Sequence, residues 1–177
     1  MQKIQKVGIF MEIWDLYDEN KNKTGKTHIR GENIPDGFYH LVVNVWVKNS
    51  KGEYLIAQRA ANRKAYPLVF ECVTGSVFAG EDSFDGAVRE LKEEVGIEVN
   101  KKDAKLVKTQ VRKFVGGKQY SDILDVVLFE YDGEVDLANA TTDEVAQVMW
   151  MSKAQIKELH DAGKLMHDND YIFEMDF

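Results

Sequence analysis

GSVFAGEDSFDGAVRELKEEVGI, residues 75–97, is the stretch from which the rest of the chain can be read. In its second half Phe84, Ala87, Val88, Leu91 and Val95 recur at intervals of three and four, so they share one helical face and should pack inward. Gly96 then stops the helix. Asp82 or Ser83 can cap its start, and Asp85 falls in the first turn, where the helix dipole favours an anion. The last two turns break the usual rules. Glu90, Glu93 and Glu94 fall within one arc beside the apolar stripe, at the end where the dipole disfavours negative charge. Like charges at these spacings cost about 0.2–0.5 kcal/mol per pair, and Lys92 points away from them. A hard dication held by the carboxylates would remove the conflict.

The spacing carries more than a helix. Gly75, five residues, Glu81, seven residues, then Arg89-Glu90-Leu91-x-Glu93-Glu94-x-Gly96-Ile97 fills every fixed position of a Nudix box, and on these residues the chain resembles the Nudix family. The resemblance implies an α/β/α sandwich around a central mixed β-sheet, with the box as a loop–helix–loop. It also implies a magnesium-dependent enzyme that sends water onto a diphosphate linkage in a nucleoside diphosphate derivative or a related organic pyrophosphate. By the same resemblance Glu90, Glu93 and Glu94 are the metal site, joined by the backbone carbonyl of Gly75. Manganese can take the place of magnesium. Arg89 and Glu81 are then a supporting ion pair that holds the loop against the helix. Besides Glu94, the reaction needs a general base, for which Glu93 and Glu144 are the candidates. Arg59, Arg63 and Lys64 are candidates to clamp the phosphate that is not attacked.

Further motifs resemble one branch of that family, the branch related to isopentenyl-diphosphate isomerase. They are Glu12-Ile-Trp-Asp15, Gly37-Phe-Tyr-His40, Gln58-Arg59 and Lys64-x-x-Pro67. An isomerase of that kind uses a cysteine beside a Gly-His-Pro segment and metal-binding histidines. Here Thr74 stands where the cysteine would be and Ser76 where the histidine would be, with Cys72 two positions early. His40 can match one metal-binding histidine, although at the start of an apolar run it reads first as a core residue. The glutamate set of the hydrolases is complete, so hydrolysis is the better reading. Isomerase-like activity and a non-catalytic nucleotide-sensing module are the alternatives.

The chain has 177 residues and a formal net charge of -7. That length suits one Nudix domain spanning residues 1–177, with residues 1–36 as an N-terminal hairpin extension and residues 75–97 as the box. The acidity, with no basic run, argues against a nucleic-acid polymer as partner and leaves a small phosphorylated substrate. No stretch is apolar enough to cross a bilayer and no signal segment opens the sequence, so no membrane association is expected and the cytoplasm is the expected location. Cys72 is the one cysteine, so no internal disulfide can form.

Strands are expected over residues 10–17, 27–30, 39–47, 54–58, 70–78, 105–114, 123–131 and 144–151, with Gly116-Gly117 turning the pair that follows the box. The run YHLVVNVWV at 39–47 reads as a central strand buried on both faces. Ser152 opens a second helix to about His160. Phe78, Trp46 and Trp150 are read as core aromatics, and His28, His160 and His167 as surface or structural. The tail, residues 165–177, is too apolar to be free and should pack on the body or on a second copy, which makes a homodimer a candidate assembly.

Overall fold

Aspartate 82, not Ser83, caps the box helix. Its Oδ1 accepts the amides of Phe84 and Asp85 at 3.0 Å each, and Asp85 Oδ2 accepts the amide of Asp82 in return. This reciprocal pair starts α1 at Ser83–Val95 and satisfies three backbone donors that a helix end otherwise leaves unmet. Ala87, Leu91 and Val95 are fully buried as expected, whereas Phe84 and Val88 are half-exposed. The helix is turned so that Glu90 and Glu94 share the buried arc instead.

The computed structural model describes residues 3–6, 9–115 and 118–175, and the chain divides into two compact units. The Gly116-Gly117 turn and Phe177 lie outside the described residues. The fold is α/β, with a mixed central sheet and few helices.

The first unit comprises Met1–Asn44, Gly75–Ala87 and Leu106–Val127. It opens with an antiparallel three-stranded sheet, β1 (Lys3–Lys6), β2 (Ile9–Tyr17) and β3 (Lys23–Ile29). The last of these begins four residues before the expected Thr27, because Asp18 caps the turn and accepts the amides of Asn20 and Asn22. This unit also holds the start of β4 (His40–Lys48), the end of β7 (Val73–Ser76), and most of β8 (Lys105–Val115) and β9 (Lys118–Glu130), with β9 between β4 and β8. Asp125 is wholly buried and accepts hydrogen bonds from Ser83, Lys21 and Thr109, so one carboxylate ties a turn, the first residue of α1 and a strand. Trp14 and His40 stack with ring centroids 4.0 Å apart and planes at 14°.

The second unit comprises Val45–Thr74, Val88–Lys105 and Leu128–Phe177. Here β5 (Tyr54–Arg59) lies between the end of β4 and β10 (Val145–Met151), antiparallel to both. The single strand expected over residues 70–78 is broken: β6 (Phe70–Glu71) pairs β5, and β7 starts anew at Val73. Asn169 Oδ1 takes the amide of Cys72, the residue at the break. Ser152 and Gln155 form a capping box that starts α2 (Lys153–Asp161). The apolar tail folds back on its own unit. Phe70 bridges Leu165, Tyr171 Oη accepts the indole N–H of the buried Trp46, and Ile172 is fully buried. Trp46 and Phe78 are core, while Trp150 is half-exposed.

Candidate active site

Four stretches of the second unit gather around Glu90 and Glu94: the last turns of α1, the loop after β5, the short strand β6 and the loop before β10. The last two turns of α1 put both carboxylates on the buried side, at 9% and 8% exposure. Gly96 then ends the helix at φ +72°, where a side chain would also meet the Asp136 carbonyl oxygen at 2.8 Å, so only glycine fits. The Glu93 carbonyl, one of the oxygens a helix end leaves without a partner, takes three donors at 3.0 Å: the amides of Thr141 and Thr142 and the Thr142 hydroxyl. That fastens the next loop to the helix. Two residues on, the Glu144 carbonyl accepts the amide of Ala60 at 2.8 Å, and its carboxylate pairs with Arg63 Nη2 at 2.7 Å.

The loop from Ala60 to Val69 is held in an unusual shape. Tyr66 and Leu68 have φ of 50° and 63° without being glycine, conformations that cost about 1–3 kcal/mol each and that persist only where surroundings impose them. Arg59 Nε donates to the Ala65 carbonyl at 3.2 Å and Gln58 Nε2 to the Leu68 carbonyl at 2.9 Å. The Nε of Arg63 is buried with no hydrogen-bond partner. Lys64 is exposed on the same loop.

The electrostatics are those of an excess of buried acid. Burial pushes the Glu94 carboxyl well above the carboxylate range; the charges of Glu90, Glu71 and Glu144 add to this and Arg59 opposes it. Burial likewise raises Glu90 to about 7, opposed by Arg89 and assisted by Glu93 and Glu144. Arg89 Nη1 reaches Glu90 at 2.6 Å and Glu93 at 3.2 Å. Lys92 faces away, onto Glu98. Gly75 and Glu81 belong to the first unit, where Gly75 lies in β7 and Glu81 Oε2 accepts the amide of Phe78 at 3.0 Å.

Among the described residues, no three His, Cys, Asp or Glu side chains are already gathered as a metal cage. The donors nonetheless suit a hard cation in kind. Two buried carboxylates with too little positive charge beside them are what magnesium or manganese takes, since such ions bind through one or two carboxylates and keep waters and substrate oxygens as their other ligands.

No sequence motif singles out Glu71. It is 5% exposed and pairs with Arg59 Nη1 at 2.5 Å, and its only sequence signal is an acid inside the apolar run Phe70-Glu71-Cys72-Val73. Cys72 is fully buried, and burial raises its thiol well above the ordinary value.

The NUDIX domain model matches residues 38–170. A Nudix hydrolase of Listeria innocua is 35% identical over 159 residues, 88% of this chain and 89% of the relative. An isopentenyl-diphosphate Delta-isomerase of Shigella flexneri is 34% identical over 77 residues, 43% of this chain and 42% of that enzyme. Among solved structures, that of DR0079 from Deinococcus radiodurans superposes with a TM-score of 0.65 at 20% identity, covering 88% of this chain and 93% of that one. A bifunctional NMN adenylyltransferase/ADP ribose pyrophosphatase from Francisella tularensis, solved with AMP and a manganese ion, gives a TM-score of 0.57 at 21% identity, covering 77% of this chain and 40% of that one.

Proposed function

This chain belongs to the Nudix family of pyrophosphate-acting hydrolases, and on that premise we propose that it cleaves the diphosphate linkage of a nucleoside diphosphate derivative with the help of magnesium or manganese. The observation that carries the reading is the pair Glu90 and Glu94, buried one turn apart and short of countercharge. Carboxylates in that state gain most from a dication. When bound, the ion supplies polarisation of the phosphoryl oxygens and a more acidic attacking water. Glu90 and Glu94 would hold it, with Glu93 beside them.

The remaining steps belong to the chain itself. Arg59 and Arg63, whose planar forks match phosphate oxygens, bind the diphosphate, with Lys64 as a further cation. Glu93 or Glu144 takes the proton from the attacking water. Glu144 is tied to Arg63, so phosphate binding at Arg63 and release of the Glu144 carboxylate are one exchange of partners. Arg89 keeps the Glu90 and Glu93 carboxylates apart from free solution by holding both, and Glu81 braces the turn at Phe78. The nucleotide part of the reading draws on the Francisella neighbour, whose name and bound AMP are of that class. An isomerase would need Cys72 or a substitute as an accessible acid, and Cys72 is sealed in the core.

The test is release of phosphate or nucleoside monophosphate from a panel of nucleotide sugars, ADP-ribose, dinucleotides and isoprenoid diphosphates with magnesium, comparing the native chain with Glu94→Gln. Loss of at least about a hundredfold in kcat in the variant is expected. Turnover that survives in Glu94→Gln, or no turnover of any compound by the native chain, overturns the proposal.

A further inference from the structure

We propose that Glu71 is a positioning residue for substrate phosphate: it fixes the Arg59 guanidinium so that one corner of the fork is committed to the protein and another is left for the diphosphate. The inference rests on the reading of Arg59 as a phosphate clamp and deepens it.

The backbone under Glu71 is clamped from both sides. On one side Ala57 is its register partner in β5, with Gln58 opposite Phe70. On the other, Phe70 donates to the Lys164 carbonyl at 2.9 Å and accepts from the Met166 amide at 2.7 Å. A two-residue strand held this way has little freedom, and its acid is buried. The carboxylate accepts from Arg59 Nη1 at 2.5 Å while Arg59 Nε donates to the Ala65 carbonyl at 3.2 Å. Nη2 of Arg59 has no partner among the described residues. A guanidinium presents five donors in one rigid plane, so two anchored nitrogens set the direction of the third.

Stability alone gives a poor account of this pair. Desolvating an acid and a base costs about as much as their attraction returns, and an apolar pair of the same size would often hold the strand better. The position lies in an apolar run where valine or isoleucine would be the ordinary choice. What the acid does that an apolar residue cannot is hold a cation in place before substrate arrives, which removes the ordering cost that a free arginine would bring to binding. The Arg59 charge bears on Glu94 as well as on Glu71.

The probe is inorganic pyrophosphate with magnesium, its binding measured by calorimetry on the full chain, together with KM and kcat for any panel compound that is turned over. Glu71→Gln should raise the Kd for pyrophosphate and the KM about tenfold, with kcat changed less than about threefold. Glu71→Asp, which keeps the charge one carbon further back, should recover part of the loss. Arg59→Ala combined with Glu71→Gln should be no weaker than Arg59→Ala alone, because the acid acts through the arginine. Unfolding midpoints identify any variant that has lost its fold; if Glu71→Gln does, Glu71→Asp carries the measurement, with a loss of about threefold expected. Unchanged Kd and KM in the folded variant, losses that simply add, or a wild-type chain that does not bind pyrophosphate each overturn the inference. A wild-type chain that binds pyrophosphate with this Glu71 dependence and hydrolyses nothing refutes the hydrolase reading and leaves this one standing.

Discussion

Acidification should act on this fold through His40 well before the carboxylates of its surface respond. The ring is stacked on Trp14 and its Nδ1 is buried with no hydrogen-bond partner. Burial lowers its pKa from 6.5 to about 3, with the charges of Arg112, His28 and Arg30 pushing the same way. Between those two values the unfolded chain binds a proton that the folded chain refuses, so stability rises with pH and is lost as pH falls below 6.5. At pH 5 the unfolded histidine is almost fully protonated and the folded one is neutral. The 1.5 units between 6.5 and 5 amount to about 2 kcal/mol at 1.36 kcal/mol per unit. Urea unfolding of the native chain and of His40→Phe at pH 7.5 and pH 5.0 reads this directly. The native chain should lose about 2 kcal/mol more than the variant on acidification. Equal losses in the two proteins would refute the argument, as would a ring that titrates near 6.5 by NMR in the folded state.

The candidate metal site predicts the opposite slope. Because the Glu90 pKa is raised to about 7, the metal-free protein keeps a proton that the unfolded chain has lost. That proton alone costs about 3 kcal/mol of stability between pH 4.5 and pH 7.5, so in urea titrations with chelator the native chain should lose about 3 kcal/mol more than Glu90→Gln over this range; equal changes in the two would contradict it. Gly96→Ala joins an unfavourable φ to a contact of 2.8 Å with backbone and should cost at least about 2 kcal/mol in thermal unfolding. A variant within about 0.5 kcal/mol of the native chain would mean that the loop at Asp136 gives way freely.

Residues 75–97 made the helix, its end at Gly96 and the clustering of three glutamates legible, because each follows from a local spacing. Rotation of the helix was not legible. Phe84 and Val88 fit the apolar period, yet burial went to the arc holding Glu90 and Glu94, a choice made by what packs against the helix and not by its own hydrophobicity. The cap was ambiguous for a similar reason: Ser83 is as good a capping residue as Asp82, and only its use as a donor to Asp125 takes it out of contention. The break at Cys72 and the left-handed backbone of Tyr66 and Leu68 leave no trace in composition, since no glycine marks them. Glu71 stayed hidden because one acid in an apolar strand acquires meaning only when its partner, twelve positions earlier in the chain, is known.

One oxygen joins two parts of the site that lie far apart in sequence. The Glu93 carbonyl, which receives Thr141 and Thr142, serves as a surveyor's benchmark from which Glu144 is measured. Changes of loop length before residue 136 leave that measurement alone, since the count from benchmark to carboxylate begins at Thr141. An insertion between Thr142 and Glu144 shifts the acid relative to the helix by a whole residue. The outer part of this loop is free to vary in length, while its last four positions are calibrated.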